Sequence, residues 1–313
     1  MNILFVVLGF FLLVMGGNWL LKSAVALSLK LNVPKIVIGM TVVSFATSAP
    51  ELIVSVRSVL QDATGLAVGN VIGSNIANLG LVLGITIILS KIDVEKSFYK
   101  TDWPVMMIAS LLLFVFVAFD KVIESYEGML LFSFLIFFLI YLLKFQKRAV
   151  VDEMPEDDEP LPLYKIVFFF AIGGVGLWAG SELLIEGAID LAENYGVSER
   201  IIGITIVSVG TSIPELSASV VAVLKKEKAI SLGNLIGSNV FNILAVLGVT
   251  SMITPVKIKL EDIGLLEVDI YWMLGISFLI LPLVFFPRKL RLDWKDGIIL
   301  LALYAAFIYT TVS

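Results

Sequence analysis

The sequence predicts an all-α membrane protein: ten transmembrane helices forming two inverted five-helix repeats, with broken helices at the midplane. Composition, a series of apolar runs and an internal repeat together point to this class. Of 313 residues, 59% are hydrophobic and 16% charged, and the mean hydropathy is +1.01. A soluble domain carries about 25% charged residues, so the chain reads as a lipid bilayer resident.

A span needs roughly 20 apolar residues. Runs between polar breaks fall near 3–21, 34–60, 66–90, 103–119, 126–144, 163–190, 198–224, 230–253, 269–286 and 296–311. The first, "ILFVVLGFFLLVMGGNWLL", has no positive residue before it and no small-residue cleavage site, so it reads as a retained helix. The loops after spans 1, 3, 5, 7 and 9, with the span ends that adjoin them, hold 17 of the 22 lysines and arginines. By the positive-inside rule these loops are cytoplasmic and both termini lie outside, in a multi-pass cell (inner or plasma) membrane protein. The segment "KFQKRAVVDEMPEDDEPLPLYK" is acidic and proline-punctuated; its core, 146–162, reads as a cytoplasmic linker too short to fold by itself.

That linker separates two similar halves, 1–145 and 163–313. Residues 38–84 and 202–248 align without a gap at an offset of 164, with 24 of 47 positions identical. Each half holds five spans, an odd number, so the second enters the membrane upside down. Inverted repeats place substrate sites near the midplane, where interrupted helices meet.

The repeat carries the chemistry. "FATSAPELIVS" (45–55) returns as "VGTSIPELSAS" (209–219), and each copy sets a glutamate, Glu51 or Glu215, directly after a proline. Proline removes a backbone donor and clashes with the preceding turn, so spans 2 and 7 are expected to break midway. Backbone freed there is tolerated at membrane depth only where it faces water or protein. Thr47 and Ser48 precede Glu51 by four and three residues, as Thr211 and Ser212 precede Glu215, and so share its face where the chain is helical. In spans 3 and 8, "GNVIGSNIAN" and "GNLIGSNVFN" set Ser74 four residues before Asn78 and Ser238 four before Asn242. Glycines 69, 73, 233 and 237 are expected to let helices approach closely. The donor set is carboxylate, hydroxyl, amide and carbonyl oxygen, which suits calcium, magnesium or alkali cations. With no cysteine or histidine, thiolate sites, disulfides and the usual proton relay are excluded. No basic block suggests nucleic acid, and no protein partner or cofactor is implied.

The paired motifs resemble the two alpha repeats of the cation/calcium exchanger superfamily, specifically prokaryotic-type sodium/calcium exchangers, over essentially the full chain. The resemblance implies an antiporter rather than an enzyme. It would export Ca²⁺ in exchange for Na⁺ by alternating access, with spans 1 and 6 as movable gate helices. It makes Glu51 and Glu215 shared ligands of both ions. Thr47, Ser48, Thr211, Ser212, Ser74 and Ser238 would add oxygens, as would the backbone carbonyls of Ser44 and Ser208. Asn78 and Asn242 would line the middle of the site. Some family members, including potassium-dependent ones, carry aspartate where this chain has Asn242; asparagine at 78 and 242 resembles potassium-independent exchangers. Proton/calcium exchangers of the same fold, the nearest alternative, carry a "GNxxE" motif, and here "GN" is followed by "VIG" or "LIG". An intramembrane hydrolase would need an aspartate pair, His, Cys or a serine–lysine constellation in the spans, none of which the sequence offers. A passive channel would not need the inverted repeat.

Overall fold

The computed structural model describes residues 2–145, 161–194, 210–259 and 262–312. The described helices are α1 (Asn2–Leu31), α2 (Lys35–Thr47), α3 (Ala49–Leu60), α4 (Thr64–Leu89), α5 (Phe98–Asp120), α6 (Ser125–Phe145), α7 (Leu163–Asn194), α8 (Ile213–Leu224), α9 (Lys228–Ile253), α10 (Leu265–Phe285) and α11 (Trp294–Val312). By length and composition seven of them can cross a membrane, or eight if the bent pair α2–α3 is one span. The expected seventh span, 198–224, lies partly outside the described residues, as do Ser208 and most of the 146–162 linker.

Several helices outrun their apolar segments. α1 continues to Leu31, past the expected end at 21, because a lysine marks a membrane edge and not a helix end; the Lys22 ammonium lies 4.6 Å from the centroid of the Phe169 ring. α5 and α10 begin at Phe98 and Leu265, earlier than the expected 103 and 269, each through a π-helical turn. The fold is not purely helical either. Four two-residue strands, β1 (Ile92–Asp93), β2 (Val122–Ile123), β3 (Val256–Lys257) and β4 (Arg291–Leu292), pair antiparallel as β1–β4 and β2–β3. Each is too short to read as a strand from alternation.

The chain divides into two compact units, Met1–Thr47 with Ile140–Asn234, and Ser48–Leu139 with Leu235–Ser313. Each unit draws on both halves of the sequence. In the first, α1 runs antiparallel to α7 with the backbones in contact. A Cβ on Gly16 would lie 2.7 Å from Leu177 N, and one on Gly173 would lie 2.6 Å from Leu20 N. Only residues without a side chain permit that approach.

In the second unit the packing pairs are images of one another. Gly128 on α6 meets Gly248 on α9, and Gly297 on α11 meets Gly84 on α4; Gly84 and Gly248 are 164 residues apart. The strands obey the same exchange, since β1 and β3 also differ by 164 and each ladder joins one strand from either half. α4 and α9 are the most enclosed helices, 78% buried over their apolar windows against 28–39% for the other spanning helices. They carry the duplicated asparagines and serines.

Candidate cation-binding site

The helix break falls at Ser48. Its φ of −87° and ψ of 3° leave the helical region, and α2 and α3 are bent by 45° there. Pro50 stands in the first turn of α3, where its missing N–H is no loss. Ser212 repeats the conformation at φ −87° and ψ 2°, followed by Pro214 in the first turn of α8. The residues before Gly210 lie outside the described region, so the break is seen from one side only.

Glu51 and Glu215 sit in the first turns of α3 and α8, each fully buried. A helix N-terminus presents unpaired N–H groups and the positive end of the dipole, which favours a carboxylate. Burial removes the water that would otherwise solvate the charge. A buried carboxylate of this kind calls for a cation or strong donors.

In the first unit Asn234 gathers the hydroxyls. The Thr47 hydroxyl donates to its Oδ1 at 3.2 Å, its Nδ2 donates to Ser219 Oγ at 3.2 Å, and Ser44 Oγ lies 2.9 Å from its backbone carbonyl. The Ser44 carbonyl, expected as a ligand, lies 3.4 Å from Thr47 Oγ1. Thr211 and Ser212 belong to the same unit, the former half-buried and the latter buried. The crossing beside these groups is tight: a Cβ on Gly39 would stand 2.5 Å from Ile230 O, and one on Gly233 would collide with Ile36 O.

In the second unit Asn70 is the counterpart of Asn234 and donates to Ser55 Oγ at 3.0 Å and to the Glu51 carbonyl at 3.3 Å. Ser48, Ser74 and Ser238 are buried here. Asn78 and Asn242, both fully buried, each open a π-helical turn, Asn78–Val82 and Asn242–Leu247. Such turns disturb the regular carbonyl pairing and recur at functional sites. The two asparagines are held by a second pair: Asn78 Nδ2 donates to Asn239 Oδ1 at 3.4 Å, and Asn242 Nδ2 to Asn75 Oδ1 at 3.1 Å.

Not every expectation about glycine holds. Among the described residues nothing lies within 4 Å of a Cβ placed on Gly73, and one on Gly69 would touch only Leu265, at 3.5 Å or more. Of Gly69, Gly73, Gly233 and Gly237, only Gly233 stands at a described backbone crossing.

Reading the sequence passed over Asn70, Asn234, Asn75 and Asn239. The signal was present, since Asn70 and Asn234, and Asn75 and Asn239, coincide at the offset of 164. Asp102, just outside the expected fourth span of 103–119, is fully buried and drawn into α5 by the π-helical turn at 98–102.

The family model described as "Sodium/calcium exchanger protein" matches residues 1–144 and 165–313. The chain is a member of the sodium/calcium exchanger family. It is 35% identical to the putative antiporter CaxA of Alkalimonas amylolytica, over 99% of this chain and 98% of that protein. It is 31% identical to the sodium/calcium exchanger MaX1 of Methanosarcina acetivorans, over 98% and 97%. Among solved structures it is similar to the sodium-calcium exchanger NCX_Mj soaked with zero Na⁺ and Ca²⁺, with a TM-score of 0.84 and 29% identity over 99% of this chain and 98% of that one. As a family member with multiple apolar helices, it is a multi-pass membrane protein.

Proposed function

We propose that the protein is a sodium/calcium antiporter that exports Ca²⁺ in exchange for Na⁺ by alternating access. It crosses the membrane ten times as two inverted five-helix repeats, 1–145 and 163–313, with the termini outside and 146–162 cytoplasmic. Support for the inverted arrangement comes from the antiparallel packing of α1 and α7 and from the exchange-related pairs of glycines and strands.

One observation carries the reading: Glu51 and Glu215 are fully buried in the first turns of two helices that follow breaks of matching backbone geometry. Two carboxylates match the charge of one Ca²⁺. Several Na⁺ can replace the Ca²⁺ on overlapping oxygens, and competition for the same carboxylates couples the two fluxes. Thr47, Ser48, Thr211, Ser212, Ser74 and Ser238 supply hydroxyls, Asn78 and Asn242 amide oxygens, and Ser44 and Ser208 backbone carbonyls. α1 and α7 act as the gate, since a backbone-on-backbone contact lets them travel as one body.

The deciding experiment reconstitutes the purified protein in liposomes and follows Ca²⁺ uptake under an imposed Na⁺ gradient or an imposed H⁺ gradient. Uptake driven by Na⁺ and not by H⁺ is expected. Uptake driven by H⁺ alone would replace this reading with proton/calcium exchange.

A further inference from the structure

Asn78 and Asn242 each donate through the amide nitrogen, yet their oxygens are left over. Asn78 Oδ1 and Asn242 Oδ1 are buried, and neither has a hydrogen-bond partner among the described residues. A buried acceptor without a donor is costly, and here the arrangement occurs twice, at positions 164 apart. What keeps both amides turned this way lies one residue further out.

Asn75 Nδ2 approaches Met273 Sδ at 3.8 Å and donates to the Asn239 backbone carbonyl at 3.3 Å. Both acceptors can only accept, so this end of the amide is the donor end. Its Oδ1 is thereby turned to Asn242 Nδ2, 3.1 Å away. On the other side Asn239 Nδ2 approaches Met106 Sδ at 3.8 Å, and Asn239 Oδ1 accepts from Asn78 Nδ2 at 3.4 Å. The chains Met273–Asn75–Asn242 and Met106–Asn239–Asn78 are thus copies of one device. Each begins at an acceptor-only sulfur and ends at an amide oxygen that nothing in the described protein satisfies. The methionines also correspond between the halves, within segments where Asp102, Met106 and Ser110 match Asp269, Met273 and Ser277 at an offset of 167.

We infer that Asn75 and Asn239, anchored by Met273 and Met106, are positioning residues that hold the Asn242 and Asn78 oxygens toward the ion path and so set the affinity for Na⁺. The inference rests on the reading of the protein as a sodium/calcium antiporter. A Ca²⁺ ion finds its charge balance in Glu51 and Glu215. An exchange that replaces it by more than two Na⁺ needs a further seat, and uncharged amide oxygens coordinate a monovalent cation without adding an unbalanced charge. Turning either amide around would present N–H groups to a cation. Orientation is therefore the property that matters.

The test uses full-length protein in liposomes and two readouts: the Na⁺ concentration for half-maximal Ca²⁺ efflux, and the Ca²⁺ concentration for half-maximal Ca²⁺/Ca²⁺ exchange in the absence of Na⁺. In Asn75→Leu and Asn239→Leu the Na⁺ value is expected to rise about tenfold, as for lost outer-shell partners of ion ligands, while the Ca²⁺ value rises less than about threefold. Met106→Leu and Met273→Leu conserve volume and remove only the acceptor; a smaller rise in the Na⁺ value alone is expected. These mild variants decide the matter should the asparagine variants fail to insert. Unchanged Na⁺ dependence in the methionine and asparagine variants would overturn the inference, as would parallel rises in both values, the mark of a merely structural role. Absence of Na⁺-driven flux in the wild type would instead remove the antiporter reading, and this inference with it.

Discussion

Two repeat-related helix pairs meet in opposite ways. α1 and α7 touch through glycines, with main chain against main chain at Gly16 and Gly173. α4 and α9 are joined by asparagines, through hydrogen bonds linking Asn75, Asn78, Asn239 and Asn242. A bare glycine surface offers close packing without directional bonds, and because a side chain brought to the crossing would meet backbone, the two helices keep their register and can travel as one body. An amide network allows one arrangement, because every donor must find its acceptor. The first pair has the chemistry of a unit held by steric fit alone and the second that of a hydrogen-bonded fixed frame.

The largest effect is expected where the ion charge is balanced. Glu51→Gln and Glu215→Gln retain shape while removing one charge and turning one acceptor oxygen into an amide donor. Loss of a charged partner from a buried pair costs about 2–5 kcal/mol, enough to abolish Na⁺-driven Ca²⁺ transport in liposomes while the protein still elutes as a folded species in detergent. Near-normal exchange by either variant would remove that glutamate from the ligand set.

The glycine contact is tested by its own internal control. A Cβ on Gly173 would stand 2.6 Å from Leu20 N and 2.9 Å from Leu20 Cα, so Gly173→Ala must push α1 and α7 apart. On Gly174, one residue along, the nearest atom would be Ala46 Cβ at 3.9 Å. Overpacking costs about 1–3 kcal/mol, so Gly173→Ala is expected to lower the melting temperature and slow turnover, with Ca²⁺ binding by calorimetry retained. Gly174→Ala is expected to match the wild type in all three. Equal effects at the two positions would show that close approach is not what these glycines provide.

The segments that carry the two glutamates were more legible than either helix pair, although only in part. Proline after the Thr-Ser pair marked the break, since a missing N–H and a ring clash act locally, and Ser48 adopts the non-helical conformation that follows. Exact duplication singled out Glu51 and Glu215. The amide partners were harder to see. Asn75 and Asn239 sit in the quoted motifs but owe their role to orientation, which depends on Met106 and Met273 in distant helices. A methionine in an apolar run carries no sign that its sulfur accepts a hydrogen bond. Helix ends were obscured for a related reason: the sequence marks where lipid stops, whereas α1 runs on to Leu31 and α5 begins in a π-helical turn. The glycines were legible as small residues, but whether one lines a crossing, as Gly233 does, or faces open space among the described residues, as Gly73 does, depends on the packing of other segments.

The smallest expected effect lies at the edge of the crossing between α2 and α9, and it tests whether a charge pair adds to what backbone contact already fixes. Lys35, the first residue of α2, holds Glu227, just ahead of α9, with its ammonium 3.2 Å from Oε1 and 3.0 Å from Oε2. The side chains are 14% and 19% exposed, so the pair is neither fully screened by water nor sealed from it. Beside it Gly39 and Gly233 already bring the two backbones together. A partly solvated pair contributes at most about 1 kcal/mol, because the Coulomb gain is offset by the cost of removing two ions from water and of ordering two long side chains. Lys35→Met, Glu227→Gln and the double variant form a closed cycle that isolates the pair from each residue's other contacts. Melting temperatures are expected to fall by about 2 °C or less for each single variant, with Na⁺-driven Ca²⁺ transport near the wild-type rate. The loss should shrink in high salt, which screens what solvent can reach. A coupling well above 1 kcal/mol, or transport that collapses with either partner, would mean that the crossing is held by charge and not by the glycine contact, and α2 and α9 would then belong with the bonded frame.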